Sequence, residues 1–167
     1  MKSILVTYFS RTGNTRAVAE AIHGALRTAE IRPLREAGSP EGYDLVFLGF
    51  PVEMHSIPFP VEEVLRAFPA GTLGALFSTH GSLQGHRLSQ EALEYAAVLS
   101  SGFKLLGTFH CRGRLSVRAL EELGKSSEHE EWTGMAASAA THPDAADLEE
   151  ARAFARRIEM LAAHGGY

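Results

Sequence analysis

The chain has 167 residues, 45% hydrophobic and 22% charged, with a formal net charge of −4; this is about one domain, large enough to bury a core without staples. The charge has the wrong sign for a nucleic-acid binder, and the single cysteine, Cys111, excludes an intramolecular disulfide and any cysteine-rich metal or iron–sulfur site. There is no apolar run of about eighteen residues to span a membrane, and Met1-Lys2-Ser3 leads into no signal-like cleavage site, so a cytoplasmic protein in a reducing compartment is expected.

Apolar runs of strand length recur along the chain, separated by segments of helical periodicity. Ser3–Phe9 precedes a stripe of Val18, Ile22, Ala25 and Leu26. A weaker run, Glu30–Leu34, leads into Arg35–Tyr43, a Gly- and Pro-containing loop. The link to the third strand therefore needs another crossover or a short helical turn. Leu45–Phe50 precedes Pro51–Pro60, whose prolines stiffen the loop and start a helix with the stripe Val61, Val64, Leu65 and Phe68. Leu73–Ser78 precedes Ala92, Leu93, Ala96 and Leu99, a stripe stopped by Gly102, and Phe103–Phe109 is the fifth run. In Arg112–Thr141 the residues Val117, Leu120 and Leu123 fit a short helix, and Glu128–Glu131 reads as a charged loop beside Trp132. The last helix carries Leu148, Ala151, Phe154, Ala155, Ile158 and Leu161, with Asp144 and Asp147 at capping-box spacing and Arg156 and Arg157 toward its end.

These runs lack strict alternation, as expected for strands of a parallel sheet covered on both faces. Their alternation with helices predicts an α/β doubly wound fold, without internal repeat or domain boundary over residues 1–167.

Ligands of open α/β sheets bind beyond the carboxyl ends of the strands, so the loop after the first strand is informative. Here it reads Ser10-Arg11-Thr12-Gly13-Asn14-Thr15. Ser10, Thr12, Asn14 and Thr15 offer side-chain donors, and a helix N-terminus adds unpaired N–H groups and a favourable dipole. Gly13 lets the backbone curl tightly. A phosphate monoester fits this set, with Arg11 as the one cation of the loop. A plain polar turn with a good helix cap is the alternative. The loop lacks the Gly-Lys-Ser/Thr of the Walker motif and is no Gly-x-Gly-x-x-Gly fingerprint, which disfavours Mg²⁺-nucleotide and NAD binding.

Other constellations are thin. His55, His80 and His86 could approach one another at the sheet's carboxyl edge, yet no His-Glu-x-x-His pair or ligand-spaced cluster is present, and no metal is expected. Cys111 follows the fifth run beside Arg112 and Arg114, which could lower its pKa, although a structural or incidental cysteine is the preferred reading. There is no Gly-x-Ser-x-Gly elbow for a hydrolase.

The segment Tyr8–Thr15, Y-F-S-R-T-G-N-T, resembles the FMN-phosphate loop of the flavodoxin family, (S/T)-x-T-G-N-T. Asp44–Val52 is similar to that family's third strand and the loop over one flavin face, and Leu76–Ser82 to its fourth strand and the opposite loop. The likeness covers about residues 1–110 and again the last helix. It implies a flavodoxin-like three-layer sandwich with a five-stranded parallel sheet in the order 2-1-3-4-5. FMN at the junction of strands one and three is the standing example of the switch-point rule for this family. It also implies an FMN-binding electron-transfer protein. The phosphate would lie on Ser10, Arg11, Thr12, Gly13, Asn14 and Thr15. Pro51, Val52, Glu53, Met54 and His55 would face the ring from one side, and Thr79, His80, Gly81 and Ser82 from the other.

Flavodoxins commonly sandwich the ring between Trp and Tyr, and neither covering loop here has a large aromatic. Met54, His55 and His80 are the available cover. Trp132 either substitutes, from the extra segment or a second subunit, or anchors a long loop. A protonated His80 or His55 would stabilise the reduced, anionic flavin and make it easier to reduce. Flavodoxins are also strongly acidic, which steers them to basic partners, and −4 gives little such field. The resemblance implies a redox partner such as a reductase; a monomer and a homodimer both stay open. An FMN-dependent reductase of a small-molecule acceptor, and a flavin-free interaction module that kept the fold, are the alternatives.

Overall fold

The computed structural model describes residues 3–38, 40–53, 56–82, 87–125 and 130–164, the side chains at 88, 89, 123 and 130–132 excepted. Five parallel strands, β1 (Ile4–Tyr8), β2 (Glu30–Pro33), β3 (Leu45–Pro51), β4 (Leu73–His80) and β5 (Lys104–Arg112), form one sheet in the order β2-β1-β3-β4-β5. Helix α1 (Asn14–Ala25) follows β1, α3 (Phe59–Arg66) follows β3 and α4 (Arg87–Leu99) follows β4. The link between β2 and β3 is the single turn α2 (Leu34–Ala37), the short helical turn anticipated for that Gly- and Pro-containing stretch. After β5 come α5 (Val117–Gly124), α6 (Glu130–Ser138) and α7 (Ala145–Ala163).

Both sheet faces are covered, which explains why the strands read as continuous apolar runs. Ile4, Val6, Leu45, Phe47, Ala75 and Phe77 pack against Val18 and Ile22 of α1 and Phe154 and Ile158 of α7. The alternate residues Leu5, Val46, Leu48, Phe50 and Leu76 pack against Leu34 of α2, Val61 and Leu65 of α3, and Ala92 and Ala96 of α4. The period of two along each strand thus divides its residues between two apolar layers. Asp144 and Asp147 cap α7 in the reciprocal arrangement that their spacing predicted.

Two expectations are corrected. Glu130 and Glu131 open α6 instead of lying in a loop, because the segment pairs its backbone groups helically before α7. Cys111 lies within β5, not after it, since the ladder continues through Thr79–Cys111 to His80–Arg112. There it is buried at 1% exposure. Burial, followed by the field of Asp147, holds its thiol far above the usual range, opposite to the activation that the flanking arginines suggested.

The chain leaves β1 for β2 on one side, whereas β3 sits on the other. The loops after β1 and β3 therefore diverge and open a crevice at the carboxyl ends of the strands. β4 and β5 run past their apolar stretches and carry Thr79, His80 and His110 to the same edge.

Candidate functional site

The loop Ser10–Gly13 turns the chain from β1 into α1. Ser10 Oγ accepts hydrogen bonds from the N–H groups of Gly13 and Arg16, at 3.2 and 3.4 Å, and so braces the turn from within. Gly13 takes the N-cap position at φ 92°, a left-handed conformation that side-chain-bearing residues rarely adopt. Gly13, at the N-cap, has no side chain with which to cap α1, and the first turn contains no acidic residue. The N–H groups of Asn14 and Thr15 thus have no intrahelical acceptor, and the positive end of the helix dipole faces the crevice without a counter-charge from its own first turn.

Asn14 and Thr15 are themselves buried. Asn14 Nδ2 donates to Thr12 Oγ1 at 3.2 Å and to the Arg114 carbonyl at 2.7 Å. Thr15 and Thr79 join hydroxyls at 2.9 Å, which ties the start of α1 to the end of β4. Val52 N–H donates to the Thr79 carbonyl at 2.8 Å. Glu53 and Ser56 exchange backbone hydrogen bonds at 2.9 and 2.8 Å. Arg11 donates from Nε to Glu53 Oε1 at 2.6 Å, so the loops after β1 and β3 are linked by charge. Met54 and His55 lie outside the described residues.

On the opposite wall His80 is buried at 4% exposure. Its Nδ1 lies 3.0 Å from Ser82 Oγ and its Nε2 lies 3.0 Å from His110 Nδ1. The two rings share one hydrogen bond, so their tautomers are correlated: whichever nitrogen holds the shared proton, the other accepts it. Burial lowers the His110 pKa, which disfavours the charged ring. His80 therefore meets His110, on the neighbouring strand; His86 lies outside the described residues.

The segment after β5 supplies a wall that the sequence reading missed. Gly113 N–H donates to the His80 carbonyl at 2.8 Å, and Arg114 N–H to the His142 carbonyl at 2.9 Å. Gly113 passes so near α1 that a Cβ there would stand 2.7 Å from Asn14 Nδ2. Leu115 lies so close over Gly81 that a Cβ there would stand 2.0 Å from Leu115 Cδ1. Arg112 holds the strap from behind, donating to the Ser82 carbonyl at 3.1 Å and the Met135 carbonyl at 2.7 Å. The signal was present in His110-Cys111-Arg112-Gly113-Arg114, a glycine between two cations at a strand end, but it pointed to Cys111. Trp132, the proposed aromatic substitute, has a side chain outside the described set.

Together these loops enclose a cleft of about 150 Å³, lined by Thr12, Asn14, Thr15, Thr79 and His80 with Arg11 and Arg114 at its rim. Pro51, Val52, Glu53 and Gly81 complete the walls from the β3 and β4 sides. Ser82, buried, stands behind as the partner of His80. Of the described residues expected at the site, Ser10, Gly13 and Ser82 are not on its lining; Ser10 and Gly13 shape the loop that is, and Ser82 holds His80. A second group, His142, Asp144 and Asp147, brings three potential metal ligands within 4.8 Å of one another. Both carboxylates there cap α7, and His142 Nδ1 contacts Asp147 Oδ2 at 2.5 Å.

Residues 5–156 match the family model described as a flavodoxin domain. The chain belongs to the flavodoxin family. This flavodoxin-family chain is 27% identical over 175 residues to the flavodoxin-like domain-containing protein BilS of Clostridioides difficile (strain CD3), a match that covers 97% of this chain and 98% of that protein. It superposes on oxidised flavodoxin 2 from Bacillus cereus with a TM-score of 0.61 at 21% identity, over 95% of this chain and 98% of that one. A flavoprotein of Lactobacillus acidophilus NCFM, solved in complex with FMN, gives a TM-score of 0.50 at 17% identity, over 65% of this chain and 92% of that chain. No described helix of this flavodoxin-family chain is long and apolar enough to cross a membrane.

Proposed function

We propose that this chain binds FMN without a covalent bond and carries electrons between protein partners in the cytoplasm. One observation carries the reading: a donor-lined cleft at the N-terminus of α1, whose lining includes Thr12, Asn14 and Thr15 of the segment that matches the family's phosphate loop. The flavin, when bound, supplies the redox chemistry, and the protein supplies orientation and electrostatics.

The donor set fits a phosphate monoester. It offers the Thr12 hydroxyl, the first N–H groups of α1 and the guanidiniums of Arg11 and Arg114. Arg11 is already neutralised by Glu53. Arg114 makes no side-chain hydrogen bond or ion pair among the described residues, and is the better placed of the two to offset a dianion. The enclosed volume is about 150 Å³, less than the ~300–1,000 Å³ of pockets that take whole small molecules. It suits the phosphate end of the cofactor, and the ring would take the open mouth between Pro51–Glu53 and Thr79–Gly81. His80 forms part of that mouth and keeps a proton between its Nε2 and His110 Nδ1. The support for FMN is this donor chemistry together with family membership and a structural relative solved with FMN.

An absorption spectrum of the purified protein, followed by titration of the stripped protein with FMN and with riboflavin, tests the reading. Flavin bands and preference for FMN are expected; a colourless protein that binds neither overturns it. Thr12→Ala is expected to weaken FMN roughly ten- to a hundredfold, the worth of one hydrogen bond to a charged group, and to leave riboflavin within twofold. NAD(P)H turnover without an added reductase would favour the alternative of a self-sufficient reductase.

A further inference from the structure

A larger cleft lies on the other side of the β1–α1 loop, where that loop faces the junction of β2 and α2. Its volume is about 330 Å³, and its lining includes Tyr8, Phe9, Arg11, Arg16, Leu34 and Arg35. Three arginines thus line it together with two aromatic residues and Leu34, and no lining residue carries a carboxylate.

Each arginine is held in the same way. Arg11 donates from Nε to Glu53 at 2.6 Å, Arg16 from Nε to Glu20 at 2.8 Å, and Arg35 from Nε to Glu36 at 3.1 Å. None of those three carboxylates belongs to the lining. Among the described residues the terminal amino groups of all three arginines make no hydrogen bond. A guanidinium fixed along one edge still presents the other, and two parallel N–H donors on that edge match a carboxylate. Holding the side chain beforehand reduces the ordering cost of a later contact. Arg11 also lies over the Phe9 ring, 5.1 Å from its centroid, so cation and ring form one surface.

The geometry points to a second binding site, for a small aromatic carboxylate, separated from the α1 cleft by the loop Ser10–Gly13. The Phe9 ring and Leu34, which belong to the same apolar layer, take the flat apolar body, and the free guanidinium edges take the carboxylates. The volume falls at the small end of the ~300–1,000 Å³ range of small-molecule pockets. This site does not depend on the flavin reading, since it shares only Arg11 and the loop with the α1 cleft.

Naphthalene-2,6-dicarboxylate serves as the probe and its neutral counterpart, naphthalene-2,6-dimethanol, as the control. Both are titrated into the full chain, with and without saturating FMN, by calorimetry and by amide chemical shifts. The dicarboxylate is expected to bind at least tenfold tighter than the dialcohol and to shift the amides of Phe9, Arg16, Leu34 and Arg35. The double substitution Arg16→Gln with Arg35→Gln should weaken the dicarboxylate at least tenfold, with thermal midpoint and FMN affinity unchanged. Equal affinity for dialcohol and dicarboxylate overturns the site, as does undiminished binding by the double variant. Full competition by inorganic phosphate at equal concentration also overturns it, by reducing the cleft to an unspecific anion patch. One-for-one displacement of FMN overturns it by moving the probe to the α1 cleft. Should the protein hold no flavin, the proposed function falls while the titration of the flavin-free chain still decides this one.

Discussion

At the scale of single residues, Arg114 lines the cleft and His110 stands behind it through His80. Arg114 brings a cation to the rim from a segment about a hundred positions beyond the loop it faces, as the contact with Asn14 records. On the proposed reading, Arg114→Gln should weaken FMN roughly five- to tenfold at low salt, with the effect shrinking as ionic strength screens an exposed charge. Riboflavin, which has no phosphate, should bind equally to both forms. A loss shared by riboflavin would assign Arg114 to packing. His110 acts through burial: its folded-state pKa is lowered, so the unfolded chain takes up its proton first. The contribution is complete above the ordinary imidazole value of about 6.5 and is lost as pH falls below it. Denaturant midpoints at pH 7.5 and 5.5 should therefore drop on acidification, and drop less in His110→Gln, which has no imidazole to charge.

Among the elements, the strap after β5 matters most. It fits because Gly113 offers no Cβ to Asn14 and Gly81 none to Leu115. Gly113→Ala would place a carbon 2.7 Å from Asn14 Nδ2, against the first turn of a helix pinned to Thr79. The expected cost is about 1–3 kcal/mol, the usual range for overpacking a tight site, read as a lower urea midpoint at unchanged m-value. Retention of wild-type stability would show that the strap slides freely over α1. The capping box of α7 was legible because it is local, spanning Asp144 to Asp147. The strap was not, because its partners lie far away along the sequence, on α1 and β4.

Across the whole molecule, ligand binding and folding are one equilibrium. A cofactor held only by the folded chain raises stability by mass action, about 2.7 kcal/mol at a free concentration one hundred times Kd. FMN should raise the thermal midpoint in a concentration-dependent way, and riboflavin less at the same concentration. An unmoved midpoint at saturating FMN would deny the coupling.

By itself the sequence determined the order of elements, the parallel sheet and the phosphate-like loop. Those follow from local quantities: apolar runs without alternation, stripes at helical spacing, and hydroxyl, amide and glycine residues at a strand end. It also placed Thr12, Asn14, Thr15, Thr79 and His80 on one edge, since the carboxyl ends of parallel strands all lie on the same side of the sheet. Only the tertiary structure decided what each one faces. Thr15 turned to Thr79, His80 to His110, Ser10 inward to its own loop, and Arg112–Leu115 came down as the missing wall. Such pairings depend on which strands lie side by side and how closely two backbones approach, and neither quantity is written in the spacing of residues along one chain.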